Sequence, residues 1–153
     1  MPDFKVKPAT VNHAEGIQKL LLLYSEQEQL LPRALSEVLA LIPQFRVIED
    51  GERVVGCVAL EVFSHELGEV RSLAVDPAYK DRQLGQRLLL SIEDYARELG
   101  LRKMMALTYV ESFFHKFGYE TVEMTSLPEK VWRVCVKCPK FHNFDEIPVV
   151  KHL

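Results

Sequence analysis

Cysteine is scarce in this chain. There are three, Cys57, Cys135 and Cys138, an odd number that builds no disulfide framework and fits a reducing compartment. Long apolar runs are missing as well, so no stretch reads as a membrane-spanning helix. The N-terminal MPDFKVKP has no signal-peptide pattern. Together these set the expectation of a cytoplasmic protein. An excess of positive charge is absent too. The net charge is −3, which excludes an electrostatic grip on nucleic acid or on an anionic membrane. No internal repeat, low-complexity tract or interdomain linker is visible. What is present is ordinary for a globular protein, with 48% apolar and 27% charged residues. The 153 residues predict one domain over 1–153, large enough to bury a core without staples.

Taken in order, Phe4 to Lys7 alternates as a first strand. Thr10 is a candidate N-cap for a first helix whose apolar stripe is Val11, Ala14, Ile17, Leu20 and Leu21. His13 on its first turn reads as solvated. Pro32 breaks the chain before Arg33, and a second helix follows from about Ser36 to Leu41. Phe45–Ile48 and Val54–Leu60 form a hairpin through Asp50-Gly51, the second strand apolar enough to be central. Cys57 within it is a small buried hydrophobe. Gly100 stops a long helix, Lys103–Thr108 is a fifth strand, and Glu111–Phe117 is a short helix. Tyr119–Met124 is a sixth strand and Val131–Val136 a candidate last one. The tail, 135–153, has no clear period and reads as irregular. Cys135 and Cys138 with His142 fall short of the four ligands of a structural zinc site, so no metal is expected.

The chain is organised around Gly68 to Leu90, GEVRSLAVDPAYKDRQLGQRLLL. It opens as a strand in which Glu69, Arg71 and Leu73 share one face by period two. Asp76-Pro77 ends the strand, because proline lacks the amide donor. A polar loop follows, and then Leu84, Leu88, Leu89, Ile92, Tyr95, Ala96 and Leu99 trace a helical stripe. The first amides of a helix lack internal partners and its dipole favours negative charge there. Lys80, Arg82 and Arg87 add positive charge to this candidate anion site. The same pattern fits a solvated basic loop ahead of an ordinary helix, and the residues alone leave both readings open.

The run LAVDPAYKDRQLGQRLL resembles the acetyl-coenzyme A motif of the GNAT superfamily of N-acetyltransferases. There a hydrophobic-Val-Asp-Pro-x-Tyr strand end leads through an Arg/Gln-x-x-Gly-x-Gly loop into a helix. Lys80 stands at the first loop position and Gln83 replaces the first glycine, leaving Gly85. The resemblance is greatest to the acetyltransferase domain of N-acetylglutamate synthase, whose loop also lacks that glycine. It continues through ALTYVESFFHKFGYETVEMTSLPEKVW and covers residues 4 to 134.

This resemblance implies an α/β fold with a mixed, mostly antiparallel sheet of six or seven strands flanked by helices. Ligands would enter where strands four and five part. It implies acetyl transfer from acetyl-coenzyme A to the α-amine of an amino acid, glutamate or glutamine, in arginine biosynthesis. Backbone of Leu73, Ala74 and Val75 would hold the pantetheine arm. The turn Arg82, Gln83, Leu84, Gly85, Gln86 and Arg87 would hold the pyrophosphate. Glu69 falls where several relatives carry a general base; it also reads as a strand-end carboxylate paired with Arg71. Arg33 matches an arginine that grips the amino-acid substrate, a role to which guanidinium is suited. Two other cations of the family are replaced by Glu66 and Val110, and Arg71 is placed to restore one. The usual tyrosine acid corresponds to Phe114, so no general acid is assigned, and His115 reads as solvated. A small-molecule acceptor is the expected partner, and a homodimer is compatible with the chain. Two alternatives stay open: a GNAT enzyme for another amine, such as a peptide N-terminus, or a non-catalytic acyl-coenzyme A-binding module.

Overall fold

The computed structural model describes residues 4–26, 34–80, 82–127 and 146–153. Arg33, the strand expected over 131–136, and Cys135, Cys138 and His142 lie outside the described residues. Among the described residues there are seven strands: β1 (Lys7–Pro8), β2 (Phe45–Asp50), β3 (Arg53–Val62), β4 (Leu67–Val75), β5 (Lys103–Thr108), β6 (Glu120–Thr121) and β7 (Ile147–His152). Four α-helices accompany them in the same residues: α1 (Ala14–Glu26), α2 (Leu35–Ala40), α3 (Leu84–Glu98) and α4 (Glu111–His115). The sheet order is β1-β2-β3-β4-β5-β7-β6. Strands β4 and β5 run parallel, whereas β1/β2, β2/β3, β5/β7 and β6/β7 are antiparallel. This is the mixed, mostly antiparallel α/β sheet that was expected. Among the described residues no helix is long and apolar enough to cross a membrane. The chain divides into two compact units, residues 1–61 with 70–95, and residues 62–69 with 96–153.

In the first unit the Asp50-Gly51 hairpin forms as read. Gly51 has φ 63°, a left-handed torsion that glycine takes without steric cost. Pairing runs from Asp50↔Arg53 to Phe45↔Ala59. β3 is buried from Val54 to Leu60, as its apolar run requires. Ile17, Leu20 and Leu21 of α1 and Val38 of α2 pack over Phe45, Val47, Cys57, Ala59 and Ala74. Helix α1 lies so close to β3 that a Cβ on Gly16 would come within 2.7 Å of Val54 Cγ2.

Three expectations are corrected in this unit. The first strand is Lys7–Pro8 rather than Phe4–Lys7, and Phe4 is instead buried beside Tyr79. α1 begins at Ala14 after one 3₁₀ turn, Val11–His13, which leaves Val11 65% exposed instead of in the stripe. His13 is tucked in, not solvated. Its Nδ1 accepts the Thr10 N–H at 2.8 Å and its Nε2 lies 3.1 Å from the Glu49 carboxylate. Lys7 pairs with the same carboxylate. The Lys7 hydrogen bond, reinforced by His13 against a smaller opposing effect of burial, holds the Glu49 carboxyl below its usual range.

In the second unit Leu67, Gly68 and Glu69 pair in parallel with Lys103, Met104 and Met105. Gly100, at φ 91°, stops α3 as its position suggested. The sixth strand is shorter than expected, Glu120–Thr121. The tail is not irregular throughout: β7 pairs along all of β5, from Lys103↔His152 to Thr108↔Ile147, and also with β6. Pro148, Val149 and Val150 form a contiguous buried run with no period of two to announce a strand. α4 ends at His115 rather than Phe117, and Phe113, Phe114, Phe117 and Tyr119 stack edge to face beside it.

Candidate functional site

The end of β4 departs from a regular strand. Ser72 has φ 55°, in the region that non-glycine residues rarely adopt, and its carbonyl accepts the Cys57 thiol at 3.3 Å. That torsion interrupts the pleat, so period two cannot be carried from Glu69 and Arg71 to Leu73. Beyond it Ala74 is buried, while Leu73 and Val75 are half-buried. The Tyr24 hydroxyl donates to the Val75 carbonyl. Burial is the chief cause that raises the Tyr24 pKa.

Asp76 then turns the chain. Its N–H donates to the Val55 carbonyl at 2.8 Å, tying the loop back to β3. Asp76 is 5% exposed and its carboxylate is doubly used: Oδ1 accepts Ala78 N–H at 2.9 Å, and Oδ2 accepts Arg53 Nη2 at 2.5 Å. One 3₁₀ turn, Pro77–Tyr79, follows. The Tyr79 hydroxyl donates to Asp50 Oδ2 at 2.5 Å, and this bond is the main reason its pKa is raised.

The turn into α3 rests on Gln83, which has φ 61°. The general GNAT motif puts a glycine here, and Gln83 holds the left-handed torsion that glycine takes freely. Arg87 N–H to Gln83 carbonyl, 3.2 Å, opens the helix's own ladder. The amides of Leu84, Gly85 and Gln86 therefore precede it and are available to a ligand. Leu84 is buried and, with Leu88, Leu89 and Ile92, anchors the helix. Arg82, Gln83 and Arg87 are exposed, and Gly85 and Gln86 are half-buried. The Arg82 guanidinium lies 5.2 Å over the Tyr79 ring and 5.8 Å over the Phe4 ring, and Arg87 Nη1 donates to the Phe4 carbonyl at 3.1 Å. Free helix-start amides within a cluster of cations fit a pyrophosphate.

The other candidates are placed as follows. Glu69 is a carboxylate on β4 with 6% exposure, opposite Met105. Arg71 Nη1 donates to Glu61 Oε2 at 2.8 Å, a partner the sequence did not suggest. Phe114 is buried against Tyr119, ring centroids 5.2 Å apart, a core residue where many relatives carry the acid. His115 is bonded to Thr121 at 2.8 Å, with Thr121 donating to Glu111 at 2.6 Å, so it is held in a surface network and not simply solvated. Glu66 and Val110 are both exposed. Sequence reasoning missed Asp50, Arg53 and Tyr24. The Asp50-Gly51 turn and the Asp76-Pro77 stop were each read, but no local pattern links them.

Sheet topology and this strand, turn and helix put the chain in the class of N-acetyltransferases. Residues 17–119 match the profile of the Acetyltransferase (GNAT) family. An uncharacterised N-acetyltransferase of Chlorobaculum tepidum is 32% identical over 151 residues, 99% of this chain and 97% of that one. The chain belongs to the GNAT acetyltransferase family. The amino-acid acetyltransferase of Serratia proteamaculans is 33% identical over 126 residues, which cover 81% of this chain and 29% of that protein. Among solved structures, N-acetylglutamate synthase of Neisseria gonorrhoeae, complexed with coenzyme A and N-acetyl-glutamate, superposes with a TM-score of 0.90 at 27% identity. That match covers 100% of this chain and 36% of the other. Rv2747 of Mycobacterium tuberculosis, in complex with CoA, gives 0.83 at 26% identity, covering 97% and 98%. The chain thus spans about a third of the length of the amino-acid acetyltransferase and of the glutamate synthase.

Proposed function

We propose that this chain moves an acetyl group from acetyl-coenzyme A to the α-amine of glutamate, with glutamine a second acceptor, as a cytoplasmic enzyme of arginine biosynthesis. Acetyl-coenzyme A is the co-substrate, in keeping with the family and with the CoA-bound relatives. The observation that carries the reading is the turn at Gln83, which leaves the Leu84 to Gln86 amides ahead of α3's own hydrogen bonds. Those amides, with Arg82 and Arg87 near them, hold the pyrophosphate. Backbone of Leu73 to Val75 holds the pantetheine arm, and a strand amide there polarises the thioester carbonyl. Glu69 takes the proton from the acceptor ammonium, directly or through one water. Arg71 and Arg33 grip the acceptor's carboxylates. With phenylalanine at position 114, water protonates the departing thiolate.

A second reading, binding without turnover, is favoured by that same Phe114, packed as core, and by Gln83. One experiment separates the readings: thiol release from acetyl-coenzyme A with glutamate, glutamine, lysine and a peptide amine offered in parallel. Glutamate and glutamine should lead and free lysine should trail. Lysine or peptide amines in the lead would replace the acceptor assignment. Coenzyme binding with no release from any acceptor would favour the binding module.

A further inference from the structure

Backbone amides recognise phosphate only if the backbone is held in place, within about half an ångström for a functional constellation. The stretch 76–80 that leads towards the turn into α3 must therefore be held by something other than the ligand. The turn itself has a strained point. A left-handed torsion at a residue with a side chain, such as Gln83, persists only where the surroundings over-determine it.

Two side-chain ties reach this loop from a single place, the β2–β3 turn. At its exit Arg53 Nη2 donates to the buried Asp76 carboxylate, 2.5 Å away. At its entry Asp50 accepts the Tyr79 hydroxyl, also at 2.5 Å. The ties are chemically unlike, an ion pair and a neutral hydroxyl on a carboxylate. They fasten the loop at its first residue and again at the end of its 3₁₀ turn. The Asp76 N–H also donates to the Val55 carbonyl and its other carboxylate oxygen accepts Ala78 N–H, so the side-chain ties from the hairpin turn add to a start of the loop that is already anchored on β3.

We infer that Arg53 and Asp50 are positioning residues for the coenzyme: the hairpin turn is a latch that keeps the loop, and through it the torsion at Gln83, in the phosphate-binding conformation. Neither residue belongs to the proposed coenzyme turn at 82–87. They act through Asp76 and Tyr79. The inference rests on the proposed coenzyme site at residues 82–87.

The test is a calorimetric titration of coenzyme A into the full chain and into Arg53→Met, Arg53→Lys and Tyr79→Phe. Each variant is made again in a Gln83→Gly background, and melting temperatures identify the folded ones. The expected result is a Kd raised about tenfold by Arg53→Met and several-fold by Tyr79→Phe, with Arg53→Lys in between. With glycine at 83 the torsion no longer needs holding, so the same changes should raise Kd by no more than two- to threefold. Because Gln83→Gly is itself expected to stabilise the fold, Kd values are compared only among proteins that are fully folded at the titration temperature, where general destabilisation leaves Kd unchanged in either background. Unchanged Kd in both Arg53→Met and Tyr79→Phe overturns the latch, as does an equal rise in both backgrounds. A wild-type chain that does not bind coenzyme A overturns the site itself, and the latch with it.

Discussion

Replacing Gln83 by glycine tests whether the turn into α3 is strained or merely unusual. Gln83 carries φ 61° and its side chain is exposed. A Cβ in the left-handed region costs roughly 1–2 kcal/mol through its approach to the following carbonyl oxygen. Glycine removes that cost but loses about 0.5–1 kcal/mol of unfolded-state entropy. Glycine is also among the residues preferred just before a helix, where Gln83 stands. The net expectation for Gln83→Gly is a stabilisation of roughly 0–1.5 kcal/mol, centred at about 0.75, the difference between these opposing effects. In a chain of this size that is a rise in melting temperature of roughly 2–4 °C per kcal/mol. Gln83→Val reverses the sign, since a β-branched residue tolerates positive φ worst. Denaturant titration of the three proteins gives the energies, and coenzyme A calorimetry run beside it gives the affinity. A Gln83→Gly protein less stable than wild type by 1 kcal/mol or more would refute the strain argument. A tenfold loss of affinity in that variant would show that the glutamine side chain itself holds the ligand.

Three further outcomes are expected. Glu69→Gln should lower turnover by about 10²–10⁴-fold, the range of a general base, with coenzyme affinity intact. That deficit should shrink at high pH, where the acceptor amine is already free, and a pH-independent deficit would mean that Glu69 only positions the acceptor or supports the fold. Gly16→Ala should destabilise by about 1 kcal/mol, because overpacking against Val54 outweighs the better helix propensity of alanine; a melting temperature above wild type would show that α1 yields. Glu49, whose carboxyl is depressed in the folded protein chiefly by Lys7, stabilises the fold above its ordinary value of 4.5 and loses that contribution as pH falls through the folded value. Glu49→Gln should therefore cost about 0.2–1 kcal/mol at neutral pH, and its acid unfolding curve should converge with wild type once the pH has fallen below the depressed folded value of Glu49. Parallel curves would place the effect elsewhere.

Much of the fold could be read because its punctuation is local. Asp50-Gly51 and Gly100 demanded left-handed torsions that glycine alone takes freely, and both elements ended there. Lys103–Thr108 fell where its apolar run put it. The misreadings have a common cause in non-local structure. β7 is a strand because β5 offers it a partner, not because its own residues alternate. Ser72 and Gln83 take torsions against their intrinsic preference, which only tertiary structure can impose. The candidate site's strand, turn and helix were legible as a pattern, but the side-chain ties around them were not. Arg53 with Asp76, Tyr79 with Asp50 and Arg71 with Glu61 are pairs 23, 29 and 10 residues apart in sequence. No periodicity connects such pairs.

The placement of β7 bears on how the protein is made. β5 is finished at Thr108, yet the strand that covers its edge begins only at Ile147. At about 5–20 residues per second of translation, that edge waits several seconds on the ribosome. What waits is the apolar stretch Met104, Met105 and Ala106, all buried once the sheet is complete. An uncovered strand edge of that composition invites pairing with other chains. β6 emerges earlier and is the nearest local competitor for β5, so β7 must insert between two strands already synthesised. Nascent chains stalled before Ile147 should be the form that chaperones hold and proteases cut.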